Sequence, residues 1–274
     1  MYMNENTGVV VMKVIGKWLT HLNVKDWIIP ISFMAMLLIL WELLVWVFDV
    51  KEWLLPAPSS ILQEMIVSRD LLFNHSLTTI TEIIIGFAFS FVIGVCLAAT
   101  ITYSNILERF VYPFIIASQT VPVIVIAPLL LIWIGYGIVP KIIVVILISF
   151  FPIVVNTVDG LKSADYDTMR MMRTLGASKW QIFVKLQVPY SIPFLFSGMR
   201  VAITLSVIGA VIGEWVGSSS GLGYLIMRSA AEFLTDRVFA SMVILSAIGI
   251  FLFLLIVIIE RLYLPWYNME KRQY

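Results

Sequence analysis

The chain has 274 residues, of which 61% are hydrophobic and only 13% charged, and its mean hydropathy is +0.99. That is far more apolar than a soluble domain of this length tolerates, so the composition excludes a water-soluble globular protein and indicates an integral membrane protein. The formal net charge of +1 leaves no basic patch beyond what membrane topology uses, which excludes a nucleic-acid partner.

A helix rising about 1.5 Å per residue needs about 20 apolar residues to cross about 30 Å of hydrocarbon. By that ruler the sequence predicts an all-α membrane protein with six spans, over Trp27 to Phe48, Leu77 to Thr102, Val111 to Ile134, Val139 to Val158, Tyr190 to Glu214 and Val238 to Glu260. Residues 1–26 form a polar N-terminal segment, 27–260 the six-span domain and 261–274 a C-terminal tail. The first span is too long, and lacks the small-residue cleavage site, for a removed signal peptide, so residues 1–26 are expected to stay in place. With both termini in the cytoplasm, twelve of the 18 Lys and Arg fall inside and four outside; Lys141 lies at a span edge and Arg200 within a span. The positive-inside rule favours that orientation.

Along the chain, Glu42 and Glu82 sit in or near the first two spans, where a charge must face protein, water or a partner. Between them, Leu54 to Met65 begins with a proline-rich turn and continues into a short outer helix capped by Ser59 or Ser60. Cys96, the single cysteine, lies within an apolar span and is expected to pack there, with no disulfide and no thiolate metal cluster. His21 and His75 have no spacing that suggests a metal site, so both are expected to be solvated or interfacial. The third span carries Pro113, Pro122 and Pro128, with Gln119 and Thr120 before the middle one. Prolines free carbonyls and bend a helix, either for packing or because it borders a pathway, which makes Gln119 and Pro122 pathway candidates. Trp133, Tyr136 and Trp215 suit an aromatic belt at the outer interface.

Between the fourth and fifth spans, residues 163–189 form a polar insertion. Tyr166, Met169 and Met172 fall at helical spacing, and Gly176 reads as a helix stop. Ser178 precedes Gln181 by three residues in the capping-box arrangement, and a second apolar face runs until Pro189 interrupts the helix. This helix, glycine turn and capped helix suit docking onto a cytoplasmic partner. The segment resembles the coupling loop of ABC importer permeases, whose signature is Glu-Ala-Ala, three residues, Gly, nine residues, then Ile-x-Leu-Pro. Gly176 matches its glycine, and Leu186, Val188 and Pro189 match its end, but Arg170, Met171 and Met172 occupy the Glu-Ala-Ala positions. The resemblance implies ATPase coupling through Tyr166, Met169, Arg170, Met171, Met172, Arg173, Leu175, Gly176, Ala177, Ser178 and Gln181. The opposite charge at Arg170 then requires an acidic and apolar groove on the partner.

The resemblance runs from about Pro56 to the last span and is most specific over Trp133 to Leu161 and from the loop through Ile226. It implies a type I ABC importer transmembrane fold in the bacterial cytoplasmic membrane, a homodimer with a second copy, two ATP-binding subunits holding ATP and Mg, and an external solute-binding protein. No cofactor is expected on this chain, which lacks a P-loop and is read as a non-catalytic subunit. Closure of the ATPase dimer would push Tyr166 to Gln181 as a lever, switching spans three to five between inward-open and outward-open arrangements. Gly213 to Ile226 is similar to permeases of the nitrate, sulfonate, taurine and thiamine-precursor group. Phe150 to Leu161 together with Met169 to Ser178 looks most like permeases for the hydroxymethylpyrimidine precursor of thiamine; sulfonates, taurine, nitrate and riboflavin stay open.

In the fifth span Arg200 is the deepest charge, with Glu42 or Glu82 as a partner for helix pairing, or else a role in the pathway. Glu214, near the outer end, is expected to reach water and is a further pathway candidate. Gly209, Gly213, Gly217 and Gly221 recur every four residues, which suits close helix packing within the subunit, a subunit interface or a moving gate. Gly217 to Gly221 also spells Gly-x-Ser-x-Gly. A hydrolase elbow at Ser219 would need a preceding strand and a following Asp then His, whereas both histidines lie upstream. An ion-coupled secondary transporter would show duplicated, broken helices and an acidic cluster, and neither is present. Leu222 to Phe233 is predicted as an outer surface helix with Arg228 and Glu232 paired. With Leu54 to Met65 it would form the platform for the external partner.

Overall fold

The computed structural model describes residues 24–265, and within them every regular element is helical. The predicted segment 1–26 and tail 261–274 lie mostly outside the described residues, as does His21. Eleven helices follow in chain order among the described residues: α1 (Val24–Val47), α2 (Pro58–Val67), α3 (Arg69–Tyr103), α4 (Asn105–Ser118), α5 (Val123–Ile134), α6 (Ile138–Lys162), α7 (Tyr166–Thr174), α8 (Lys179–Ile182), α9 (Val188–Trp215), α10 (Leu222–Ala231) and α11 (Thr235–Tyr263).

Five of the described helical runs are long and apolar enough to cross a membrane. The third predicted crossing, Val111 to Ile134, is not one straight helix: α4 and α5 meet at 96° across the four-residue break from Gln119 to Pro122. Pro122 stands at the N-cap of α5, where its missing N–H costs nothing, and the chain turns before it. The second span begins earlier than hydropathy suggests, because the mixed stretch from Arg69 to Ser76 continues the same helix outward.

The centre of the bundle is the α6 and α9 pair, flanked by α3. Their axes approach where side chains are smallest. A Cβ on Gly198 would fall 2.7 Å from the Pro152 carbonyl oxygen, and one on Gly209 2.9 Å from the Val145 Cα. Of the four-residue glycine series, Gly209 and Gly213 therefore serve packing within the chain, whereas Gly217 and Gly221 lie beyond the helix at φ 143° and 109° in a turn. Ile83, Val145, Phe196, Ile203 and Ala210 form the core with Leu252 and Ile256 of α11. By contrast α1 is mostly exposed and meets the other helices only along the stretch from Trp41, whose ring lies 5.9 Å from that of Phe239, to the buried Val45.

Two helix starts differ from expectation. The N-cap of α2 is Ala57 with Pro58 following, and neither Ser59 nor Ser60 caps it. Instead the Glu42 carboxylate of α1 accepts from the Ser59 amide at 3.0 Å and the Ser59 hydroxyl at 2.6 Å, supplying the cap from outside the helix. At the other end of the bundle Pro189 does not interrupt anything. A π-turn over Phe183–Gln187 joins α8 to α9, so 37 residues from Lys179 to Trp215 form one continuous helical run. A proline ring crowds the carbonyl four residues back, and the widened turn accommodates it.

Candidate functional site

The loop between α6 and α9 is a pre-formed corner. Asp165 caps α7 by accepting from the Thr168 amide at 2.8 Å, and this hydrogen bonding, first from the Thr168 hydroxyl, holds its carboxyl below the ordinary 3.8. At the far end, Gly176 adopts φ 84°, the Gly176 amide donates to Arg173 O at 3.0 Å and the Ala177 amide to Met172 O at 2.9 Å. Those two bonds make a Schellman motif, which only a residue tolerant of positive φ closes without strain. The capping box read from the sequence is formed: Gln181 N donates to Ser178 Oγ at 3.2 Å and Ser178 N to Gln181 Oε1 at 2.8 Å.

The corner sorts its residues by direction. Met169, Met172 and Ala177 turn inward onto Ala164, Ile182 and Leu186, fastening the corner to its own bundle. Tyr166, Arg170, Met171, Arg173 and Leu175 face out, with Leu175 78% exposed. The Arg170 guanidinium lies over the Tyr166 ring, 4.4 Å from its centroid. Of the three residues at the Glu-Ala-Ala positions, Arg170 and Met171 are thus exposed and Met172 is an anchor. Sequence reading missed Tyr103. Its ring packs edge-on against Phe183 at 5.9 Å and Trp180 at 6.3 Å, joining the end of α3 to the corner. Its signal was an aromatic residue directly after the second span.

At the opposite end of the bundle a polar cluster replaces the expected solvated charge. Glu214 does not reach water: it is 1% exposed, accepts from Thr79 Oγ1 at 2.6 Å and also accepts from the Gly223 amide. Thr79 in turn accepts from the Leu222 amide at 2.8 Å, and His75 Nδ1 from the Gly221 amide at 2.9 Å, so His75 is a structural acceptor rather than a solvated side chain. Lys141 is buried, forms an ion pair with Glu82 and donates to Ser218 Oγ at 3.0 Å. The turn between α9 and α10 is therefore fastened to α3 and α6 by side chains.

Arg200 pairs with neither Glu42 nor Glu82. Its partner is Glu260 of α11 at 3.3 Å, with Ser197 Oγ at 3.1 Å, because Glu42 is committed to Ser59 and Glu82 to Lys141. The four pathway candidates do not converge: Gln119 and Pro122 lie exposed at the α4 to α5 break, while Arg200 and Glu214 lie fourteen residues apart on α9, about 21 Å along its axis. Cys96 faces outward instead of packing. Ser219 lies on an exposed turn after a helix, without the strand an elbow requires. Among the described residues no group of three or more His, Cys, Asp or Glu is placed to hold a metal ion.

Both outer segments, Leu54 to Met65 and Leu222 to Phe233, contain the expected short helices, α2 and α10. Ile61 of α2, Leu72 of α3, Leu225 of α10 and Ala240 of α11 pack together, and Arg237 ties α11 to Glu64 of α2 at 2.8 Å. The Arg228 to Glu232 pair forms at 3.1 Å.

Comparison with known proteins adds three findings. The model of the family described as binding-protein-dependent transport system inner membrane component matches residues 90–266. The formylaminopyrimidine transport permease protein of Halalkalibacterium halodurans is 42% identical over 238 residues, covering 86% of this chain and 95% of the relative; the riboflavin transport system permease protein of Chloroflexus aurantiacus is 33% identical, covering 87% and 89%. The crystal structure of an amino acid ABC transporter with histidines superposes with a TM-score of 0.57 at 17% identity, covering 73% of this chain and 96% of that one, a likeness of fold.

Proposed function

The chain belongs to the family of binding-protein-dependent transport system inner membrane components, the non-catalytic permease subunits of ABC importers, and on that premise we propose that two copies form the translocation pathway for a thiamine pyrimidine precursor. The single observation that carries the substrate is the 42% identity, over nearly the whole of both chains, to a formylaminopyrimidine permease. Two ATP-binding subunits, holding ATP and Mg, engage the exposed residues of the 163–189 corner, and both termini lie on that cytoplasmic side. A solute-binding protein docks on the platform of α2 and α10 at the other face. Residues 27–260 make up the transmembrane domain, with 1–26 and 261–274 as cytoplasmic extensions.

Mechanistically, closure of the ATPase dimer displaces the corner, and because α8 runs without interruption into α9, that displacement reaches Glu214 and the outer turn. Arg200, Gln119 and Pro122 are the pathway residues to which solute is exposed as the bundle switches. Reconstitution tests the reading. Uptake of a labelled hydroxymethyl-aminopyrimidine is expected only when this chain, the ATPase, ATP and the binding protein are all present. Uptake by this chain alone along an ion gradient would overturn the machine, and a binding protein that takes an alkanesulfonate and no pyrimidine would overturn the substrate.

A further inference from the structure

We infer that Glu82 and Glu214 hold one proton between them, a buried acid and carboxylate pair that, with Lys141, latches the outer turn between α9 and α10 onto α3 and α6. The latch is independent of which solute the permease carries.

Two helices bring the carboxyls together. Thr79 and Glu82 lie one turn apart on α3, and the Thr79 hydroxyl holds Glu214 of α9 at 2.6 Å. Glu82 and Glu214 are 0% and 1% exposed, and their carboxyls are hydrogen-bonded to each other. An ionised carboxylate only accepts, so two of them cannot share a hydrogen bond and one must carry a proton. Charge gives the same count. Lys141 of α6 supplies the ammonium paired with Glu82, whereas His75, which accepts the Gly221 amide at Nδ1, is a neutral imidazole. Two carboxylates against one ammonium would leave a net negative charge away from water, and a single proton removes it.

The donors decide which carboxyl holds the proton. Glu214 Oε1 accepts from Thr79 and Oε2 from the Gly223 amide, so both of its oxygens are already occupied as acceptors. Glu82 receives no donor from the described residues besides Lys141. Hydrogen bonds donated to a carboxylate favour its ionised form, so Glu214 is the anion and Glu82 the acid that donates to it. A Cβ on Gly221 would collide with the Glu214 carboxyl, so the outer turn closes directly over that anion. Drawing the end of α9 away from α3 strips the anion of its Thr79 and Glu82 donors, a cost that keeps the turn seated.

Infrared spectroscopy of the purified full chain, in an ester-free detergent and D2O at neutral pH, reads the proton directly. A carboxylic-acid carbonyl band, separate from the carboxylate bands, is expected in the parent and lost in Glu82→Gln; a role in packing alone would produce no such band. Glutamine keeps an N–H donor for Glu214, a carbonyl for Lys141 and the same net charge as the neutral acid. Glu82→Gln is therefore expected to leave the thermal unfolding midpoint and the exchange of the Gly221 to Gly223 amides unchanged. Glu214→Gln removes the anion and sets an N–H against the Thr79 or Gly223 donor, so it is expected to lower the midpoint and quicken that exchange, as is Glu82→Ala. Absence of the acid band in the parent, its survival in Glu82→Gln, or a Glu82→Gln protein less stable than Glu214→Gln would each overturn the inference.

Discussion

The Thr79 hydroxyl donates to Glu214 Oε1 at 2.6 Å while accepting from the Leu222 amide at 2.8 Å, so one side chain of α3 holds both the end of α9 and the start of α10. All three groups are buried. Removing a partner leaves the others desolvated and unpaired, at about 1–3 kcal/mol each. Thr79→Val is expected to cost about 2 kcal/mol, and Glu214→Ala about 3 kcal/mol or more because the Gly223 amide is orphaned as well. Thermal unfolding of the purified protein in detergent checks this, and midpoints equal to that of the parent would remove Glu214 from its fastening role.

Gly176 carries φ 84° with nothing within 4 Å of where a Cβ would stand, so a substitution there meets backbone strain and no clash. Gly176→Ala is expected to weaken the corner by about 1–2 kcal/mol, and Gly176→Asn by less, since asparagine tolerates the left-handed region. Amide exchange over Tyr166 to Gln181 should quicken in that order, and equal exchange in both variants contradicts the argument.

Arg170 sits exposed on the Tyr166 ring. Under the proposed function, Arg170→Glu inverts the charge offered to the ATPase and is expected to lower coupled uptake by about tenfold or more, equivalent to about 1.4 kcal/mol of lost docking. Arg170→Lys should fall in between, because lysine keeps the charge without the planar stacking. Normal uptake by the charge-inverted variant would place the contact elsewhere on the corner.

The α7 cap has a pH signature. Hydrogen bonds from Thr168 depress the Asp165 carboxyl, so its stabilisation is fully present above the ordinary 3.8 and is lost as pH falls through the lower folded value. Amide exchange in α7 is expected to hold steady from neutral pH down to about 4, allowing for intrinsic exchange chemistry, and to accelerate below that. Asp165→Asn should flatten the acid limb, and an unchanged limb in that variant would assign it to another group.

Gly198 packs on the α6 backbone at Pro152, with no flexible side chain to give way. Gly198→Ala is expected to separate α6 from α9 and cost about 1–3 kcal/mol. Gly249→Ala serves as control, because its nearest neighbour would be a Val207 methyl at 3.6 Å, an ordinary contact. A control that destabilises as much as Gly198→Ala would dismiss backbone proximity as the cause.

What could be read in the sequence was what is decided locally. The spans follow from runs of apolar residues, and the corner follows from a glycine, an acidic cap and Ser178 with Gln181, each acting within four residues. Pairings were illegible because they depend on relative depth and rotation of helices. Arg200 finds Glu260 sixty residues on, a carboxylate that hydropathy had placed at the last span's boundary. Lys141 carried a readable clue, a cation on the side of the membrane the positive-inside rule depletes, which calls for a buried acid beside it. Pro189 misled because the π-turn that absorbs it has no simple sequence signature.

The turn at Gly176 is set by two backbone bonds, one side-chain cap and a capping box, and Met169, Met172 and Ala177 hold it on Ala164, Ile182 and Leu186, all before any partner arrives. The ordering entropy of this surface has already been lost during folding. An approaching subunit meets a finished shape, and its affinity is set by the contacts it makes, with little conformational search left to slow or weaken association.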